Sequence, residues 1–158
     1  MKAGEIIRII VLSIIGAVLM FLVQPWIYQN RLIRITDVPR IEAWVSNYYI
    51  PGATVVFLVS VVATLLWYVM AVQARVNTAG DTFRWQMIWW LFLLFPILSI
   101  CVAIGFFGGS QDALLSLTGF LVFDGIFWLF WLPTATSSPA SLMYIPPGSF
   151  TIRRVIGF

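Results

Sequence analysis

Four long apolar runs joined by short connectors fill most of this chain, and this pattern limits its fold more than any other feature. The runs cover residues 6–27, 52–72, 85–107 and 113–132. Each is close to the ~20 residues that an α-helix needs to cross the hydrocarbon core of a bilayer. The connectors leave no room for a soluble domain. The sequence therefore predicts an all-α integral membrane protein, with a bundle of four transmembrane helices in residues 1–132.

Composition agrees with a chain that has lipid as its solvent. Hydrophobic residues make up 61% of the chain and charged residues 9%, whereas soluble domains carry about 25% charged residues. Eight tryptophans fit the same class, because Trp concentrates at membrane–water interfaces. The net charge of +3 is spread thinly and forms no basic run of the kind that binds nucleic acid. We therefore expect a lipid bilayer around the protein and exclude nucleic acid as a partner.

The basic residues beside the spans predict the orientation of the bundle. One side would hold Lys2, Arg8, Arg75, Arg84, Arg153 and Arg154, and the other side would hold Arg31, Arg34 and Arg40. Because Lys and Arg in short flanks favour the cytoplasm, both termini are predicted to be cytoplasmic in a multi-pass protein. No small-residue cleavage site follows the first apolar run, so we expect this span to be retained and not removed as a signal peptide.

The first connector contains a second, shorter helical pattern at about residues 38–48. Its apolar residues recur at i, i+3, i+4 and i+7: Ile41, Trp44, Val45 and Tyr48. Asp37 is a plausible N-cap for this helix. The pattern predicts a short amphipathic helix lying in the membrane interface, anchored by Trp44 and Tyr48. Its polar face is an alternative docking surface for another protein.

The C-terminal tail, residues 133–158, contains several prolines and is predicted to be largely non-helical. It nevertheless retains too many apolar side chains for a solvated tail. We expect it to dock, most favourably on a partner protein. The candidate partner-binding residues are Tyr144, Phe150, Ile152, Arg153, Arg154 and Phe158.

Asp124 is the chemical anomaly of the sequence, because it lies near the centre of the fourth apolar run. Inserting an aspartate at that depth costs about 2.5–3.5 kcal/mol, so its side chain is expected to face protein. Matching depths across antiparallel helices places Thr64, Ser99 and Pro96 near the same level, and Pro96 frees one backbone carbonyl. We expect Asp124 to face Thr64, Ser99 or a neighbouring subunit, at a buried polar site with a possible ion or interface role.

Two roles for Asp124 stay open. It pins the register of the helices through hydrogen bonds, or it carries a proton or a cation across the bundle. Proton transport usually needs a relay of further acids, histidines or buried bases, and the second and third runs contain none. The structural role is therefore favoured.

The sequence contains no positive indication of an enzyme. Histidine is absent and Cys101 is the single cysteine, so neither the commonest general base nor a paired thiol is available. No cofactor is required, and no metal site is expected, although a lipid or pigment could sit between the Trp side chains. We expect a non-catalytic membrane anchor, scaffold or assembly subunit, in a hetero-complex rather than a homo-oligomer. The alternative is a channel or transporter component.

Overall fold

The computed structural model describes residues 3–156 of the chain, and its described part is helical with no strand. The four long helices are Ala3–Gln29 (α1), Ile41–Val72 (α2), Ala79–Phe107 (α3) and Leu114–Ser137 (α4). A 3₁₀ turn follows at Ala140–Leu142, and a short helix, α5, covers Ser149–Ile156. All four long helices have the length and hydropathy to cross a membrane. The prediction of an all-helical chain with four such helices is confirmed.

The four helices form a bundle in which α4 contacts each of the other three. Because the chain reverses after each helix, one end of the bundle holds Ala3, Val72, Ala79 and Ser137, and we call it the tail end. The other end holds Gln29, Ile41, Phe107 and Leu114, and we call it the turn end. Side-chain hydrogen bonds follow the antiparallel pairing of α1 with α4, from Tyr28–Ser116 near the turn end to Arg8–Thr136 at the tail end.

Three of the four prolines inside these helices are each preceded by a π-helical segment; the fourth, Pro96, is not. The segments are Leu19–Val23 before Pro25, Val45–Tyr49 before Pro51, and Val122–Trp131 before Pro133. The residue before each proline donates its N–H to the carbonyl five residues earlier: Gln24 to Leu19, Ile50 to Val45, and Leu132 to Phe127. Since a proline has no N–H, this local rewinding lets the helix continue through it.

The separate interfacial helix predicted at residues 38–48 is not observed. Its residues form the first turns of α2, which runs without a break from Ile41 to Val72. The prediction placed a break at Pro51, but the π-helical turn at Val45–Tyr49 carries the helix past that proline. For the same reason α4 continues beyond Pro133 to Ser137, although the sequence predicted an end at residue 132.

The tail is more helical than the sequence predicted. Gly148 has a φ of +75°, a conformation that glycine adopts without steric cost, and α5 begins directly after it. The prolines that predicted a non-helical tail all precede position 148, so none of them interrupts α5. Leu142 and Ile145 are buried in the apolar core at the tail end of the bundle. The tail therefore packs partly on its own bundle.

Glycines allow α4 to approach its neighbours closely. A Cβ atom at Gly125 would lie 2.6 Å from the Val56 Cγ1 atom of α2 and 3.3 Å from the Ser60 hydroxyl oxygen. A Cβ atom at Gly16 of α1 would lie 2.5 Å from the Leu129 Cδ2 atom. These distances are too short for any larger side chain unless the neighbouring side chains or helices move. Close helix–helix contact at small residues is the usual packing mode of membrane bundles.

We expect Gly125→Ala to destabilise the bundle by about 1–3 kcal/mol, because the added methyl group overpacks the α2–α4 contact. Gly119→Ala in the same helix is the matched control, since a Cβ atom there meets nothing within 4 Å. Helix propensity favours Ala over Gly at such an open position. Thermal unfolding of both variants in detergent provides the measurement. Equal stability of the two variants would contradict the close α2–α4 packing.

Candidate functional site

The buried acid of α4 is joined to two other helices by side-chain hydrogen bonds. Asp124 is fully buried, and the Gln24 side-chain amide of α1 donates to its Oδ2 atom. The Tyr49 hydroxyl of α2 lies within hydrogen-bond distance of the Gln24 Oε1 atom and of the Met20 carbonyl oxygen, the latter at 2.9 Å. We call Asp124, Gln24 and Tyr49 the polar chain. It connects α1, α2 and α4 in the apolar interior.

The polar chain occurs where Pro25 interrupts the hydrogen bonding of α1. The Met20 carbonyl would normally accept the N–H of Gln24, but that N–H bonds to Leu19 instead. The next residue, Pro25, has no N–H to offer. The Tyr49 hydroxyl takes over as donor. A backbone acceptor left unmatched in an apolar interior costs about 1–3 kcal/mol, so this bond has a structural purpose.

Counting protons identifies a neutral arrangement of the polar chain. The Tyr49 hydroxyl has one proton but faces two acceptors, and a glutamine amide can be turned end for end. With the Gln24 oxygen towards a protonated Asp124, the acid donates to the amide oxygen. The amide N–H then donates to Tyr49, and Tyr49 donates to Met20. Each of these three hydrogen bonds then has its own donor and acceptor, and no net charge is placed in the apolar interior.

Two buried oxygen atoms beside the polar chain have no hydrogen-bond partner within residues 3–156. They are the Asp124 Oδ1 atom and the Ser60 hydroxyl oxygen of α2. Ser60 packs against Gly125, the residue that follows Asp124. Across the described part of the chain, Asp124 is the only buried side chain of an acidic or basic residue type. These oxygens are the groups at the site that the helix-to-helix bonds leave unused.

Thr64 and Ser99 were predicted as partners of Asp124, and this prediction was wrong for both residues. The Thr64 hydroxyl donates to the Leu129 carbonyl oxygen at 2.6 Å. Leu129 is the residue whose usual helical donor, the N–H at position 133, is absent because that residue is proline. The Ser99 hydroxyl donates to the Pro96 carbonyl oxygen of its own helix at 2.7 Å. Thr64 thus supplies the donor that Pro133 lacks, and Ser99 bonds within its own helix, α3.

Depth matching failed because depth does not determine the direction in which a side chain points. Asp124 lies inside the π-helical segment Val122–Trp131, which changes the angular position of each residue around the axis of α4. Gln24, in the first apolar run, and Tyr49, in the first connector, were not predicted as site residues. Gln24 carried a signal, since an uncharged amide within a long apolar run also needs a partner.

At the turn end, the first connector is bound to the turn between α3 and α4. Asp37 accepts the Ser110 hydroxyl at 2.5 Å and the backbone N–H of Gln111 at 2.8 Å. These hydrogen bonds, with that of Ser110 foremost, lower the pKa of Asp37 below its ordinary value of 3.8. Their stabilising effect is therefore present above that value and lost as the pH falls through the lowered pKa. The N-cap of α2 is Arg40, not Asp37.

The two predicted interfacial anchors, Trp44 and Tyr48, also lie at the turn end. The Trp44 indole is buried, and its N–H donates to the Gly108 carbonyl oxygen at 3.2 Å. Tyr48 is exposed and packs beside Gly109, where a Cβ atom would lie 2.7 Å from its ring. Gly109 has a φ of +61°. Trp44 is thus in contact with protein, and Tyr48 covers the tight turn.

The predicted tail residues divide into an exposed aromatic pair and an arginine bound to the bundle. Tyr144 and Phe150 are exposed, and their rings are stacked with centroids 5.4 Å apart. Arg153 donates to the Ala135 carbonyl oxygen at 2.8 Å and to the Ser138 carbonyl oxygen at 2.5 Å. The other tail residues of that prediction are the half-buried Ile152, the exposed Arg154, and Phe158, which lies outside the described residues.

Comparisons of the chain with protein-family models, with curated proteins and with solved structures each found no match. The functional interpretation therefore depends on the chemistry of the polar chain. The polar chain can hold three helices in register, and its acid can bind or release a proton. No cluster of three or more His, Cys, Asp or Glu side chains that could hold a metal ion is present within residues 3–156.

We expect Thr64→Val to destabilise the protein by about 1–2 kcal/mol, because the Leu129 carbonyl loses its side-chain donor. In a Pro133→Ala background the same substitution is expected to cost less than half as much, since a backbone N–H becomes available at position 133. Thr54→Val is the matched control, because the Thr54 hydroxyl bonds only to the Ile50 carbonyl of its own helix. Unfolding of all four variants in detergent gives the double-mutant cycle. An unchanged cost in the Pro133→Ala background would contradict this role of Thr64.

Proposed function

We propose that this chain is a non-catalytic, multi-pass integral membrane subunit that anchors or scaffolds a larger complex. In this proposal α1 to α4 span the bilayer, both termini face the cytoplasm, and the partners are different membrane proteins. The excess of Lys and Arg at the tail end supports this orientation. The outward faces of the four helices carry exposed Ile, Val, Leu and Phe side chains along their lengths, as expected for contact with lipid or with other membrane helices.

The observation that carries the proposal is that polar side chains in the interior form hydrogen bonds between helices. The Asp124–Gln24 and Thr64–Leu129 bonds cross between helices. At the tail end, the Trp67 indole donates to the Ser138 hydroxyl at 3.0 Å and the Trp89 indole to the Thr134 hydroxyl at 3.2 Å. Such bonds replace the hydrophobic driving force that is missing between helices in lipid. An interior of this kind supports a function on the outer surfaces.

The outer face of α4 supports a specific docking surface for a neighbouring subunit. Phe123 and Phe127 are exposed and stacked with ring centroids 5.4 Å apart, and Phe127 stacks on Trp131 at 5.1 Å. The Trp131 indole donates to the Pro147 carbonyl oxygen at 2.9 Å. This hydrogen bond joins the aromatic ladder to the tail. Rigid aromatic surfaces are typical of interface centres, because they bury a large area at low entropic cost.

Purification of the chain from its native membrane in mild detergent tests the proposal. We expect a partner protein at fixed stoichiometry, and we expect Phe123→Leu with Phe127→Leu to reduce its recovery severalfold, since aromatic interface anchors contribute 2 kcal/mol or more. Phe106→Leu is the matched control, because Phe106 is an exposed aromatic residue of α3. The proposal is contradicted if the chain migrates alone, or if Phe106→Leu reduces recovery of the partner as much as the double variant does.

A channel or transporter component is the second candidate function, and one observation favours it. The Asp124 Oδ1 atom and the Ser60 hydroxyl are buried oxygens with no partner in the described part of the chain. Oxygens of this kind can accept a proton or a small cation. The candidate is weaker because Asp124 is the only buried acidic or basic side chain between residues 3 and 155, and a proton path usually needs several.

Substitution of Asp124 separates the two functions. If the polar chain is structural, Asp124→Asn should preserve stability and partner recovery, because an amide still bonds to Gln24. Asp124→Leu should then cost about 1–2 kcal/mol. Unfolding in detergent and ion flux into proteoliposomes provide the two measurements. Flux by the native chain that Asp124→Asn abolishes, with unchanged stability, would establish the transport function instead.

A further inference from the structure

A cavity of about 470 Å³ opens at the turn end of the bundle, where the first connector joins the end of α1 to the beginning of α2. Its lining includes two arginines and an apolar wall: Arg31, Arg34, Ile35, Val38, Pro39 and Ile41. Among the described residues, those that line this cavity include no Asp or Glu. The polar chain and the aromatic face of α4 do not contribute to the lining. The cavity is therefore separate from the features that the proposed function uses.

Arg31 occupies a backbone position that normally favours glycine. It follows the end of α1 with a φ of +55°. Its N–H donates to the Tyr28 carbonyl oxygen at 3.0 Å, and the N–H of Leu32 donates to the Ile27 carbonyl oxygen at 3.1 Å. These two bonds form the Schellman motif that ends many helices, and the left-handed residue of that motif is usually glycine because a Cβ atom is strained there. An arginine at position 31 therefore indicates a role for its side chain.

Neither guanidinium group of the cavity has a partner in the described part of the chain. Arg31 and Arg34 are exposed, and within residues 3–156 neither side chain forms a hydrogen bond or an ion pair. The acids of this end, Asp37, Glu42 and Asp112, lie outside the cavity lining. Asp37 and Asp112 instead accept hydrogen bonds that hold the first connector to the α3–α4 turn. The five N–H groups of each guanidinium are thus open to an acceptor from outside the protein.

The apolar wall of the cavity is fixed to the bundle. Ile35 is buried in the apolar core, and Val38 and Ile41 pack against that core. The backbone N–H of Thr36 donates to the Asp112 Oδ2 atom at 3.1 Å. The connector is thus attached both to the core and to the α3–α4 turn, which gives the two arginines a defined frame.

The cavity lies at the level of the lipid headgroups if α1 to α4 span a bilayer. With 27 residues, α1 is about 40 Å long at 1.5 Å per residue, whereas the hydrocarbon core is about 30 Å thick. Trp26, in the last turn of α1, is exposed, and Trp concentrates at the membrane–water interface. Leu32, beside Arg31, is also exposed. Exposed apolar side chains next to arginines suit a surface that meets headgroups and the first methylenes of the lipid chains.

We propose that this cavity binds the phosphate group of an anionic phospholipid from the leaflet at the turn end. Arg31 and Arg34 donate to the phosphate oxygens, since planar guanidinium groups match phosphate in geometry and charge. Val38, Pro39 and Ile41 supply an apolar wall for the glycerol backbone. Two cations in the lining disfavour a headgroup that carries its own positive charge, such as that of phosphatidylcholine. The inference rests on the membrane insertion in the proposed function and not on the proposed complex.

Position 31 allows a test that separates lipid binding from folding. Arg31→Gly removes the guanidinium group and places the favoured residue at a left-handed position. We therefore expect a higher unfolding temperature in lipid-free detergent together with weaker lipid binding, whereas loss of a merely structural side chain would lower both. Arg34→Gln removes the second guanidinium group, and Arg34→Lys keeps the charge without the paired donors. Arg40→Gln is the matched control, because Arg40 is exposed in the same connector and lies outside the cavity lining.

Native mass spectrometry of the purified full chain in detergent measures the bound lipid directly. The probes are phosphatidylglycerol, phosphatidylcholine, and inorganic phosphate as the soluble source of the same group. We expect preferential retention of phosphatidylglycerol. Arg31→Gly and Arg34→Gln should each weaken it about fivefold, the effect of one basic residue near an anionic lipid surface. Arg34→Lys should weaken it less, and Arg40→Gln should leave it unchanged.

Four results would overturn the proposal. Equal retention of phosphatidylglycerol and phosphatidylcholine would show that the anionic headgroup is not recognised. Equal weakening by Arg34→Gln and Arg40→Gln would show a general effect of surface charge and no defined site. Displacement of phosphatidylglycerol by millimolar inorganic phosphate would assign the cavity to a soluble phosphate compound. Unchanged lipid retention in Arg31→Gly and Arg34→Gln, with reduced recovery of a partner protein from the native membrane, would assign it to a protein contact.

Discussion

Backbone carbonyl groups in an apolar interior must find donors, and three of the four prolines in the long helices, Pro25, Pro51 and Pro133, make this requirement the central constraint on the fold. In each case the helix rewinds before the proline and continues through it. The rewinding leaves specific carbonyls without helical donors. Side chains of a different helix then supply donors at Met20 and Leu129. Each of these two hydrogen bonds also joins two helices, so the prolines help to determine how the helices pair.

The polar chain and the glycine contacts act on the same helix, and together they join α4 to α1 and α2. Gly125 brings α2 within close contact of α4, and Asp124, the residue before it, bonds to α1 through Gln24. Lipid provides no hydrophobic driving force between helices, so close packing and hydrogen bonds carry the association. A small bundle with one acid bonded to a neighbouring helix meets both needs. Within the described residues, Asp124 is the only buried acidic or basic side chain, and the transport hypothesis depends on it.

The two ends of the bundle differ in chemistry. At the turn end the Asp37 carboxylate accepts hydrogen bonds from the α3–α4 turn and holds the first connector against it. At the tail end the arginines bind the final carbonyls of α4 and line an open cavity. Both sets of hydrogen bonds stabilise the fold by joining segments that are far apart in the chain. The proposed docking surface lies on the exposed aromatic face of α4, whereas the second candidate function depends on Asp124 in the interior.

The sequence by itself determined that the chain is helical and has four helices of membrane-spanning length, because hydropathy and helix length are local properties. It also indicated that Asp124 needs a partner, since the cost of a buried acid does not depend on the fold. Only the tertiary structure decided that this partner is Gln24, that Thr64 serves the Leu129 carbonyl, and that residues 38–48 belong to α2. These outcomes depend on how π-helical turns redirect side chains around each helix axis. That direction is set by contacts between residues far apart in the chain, as are the packing of Leu142 and Ile145 on the bundle and the grouping of Arg8 with Arg153.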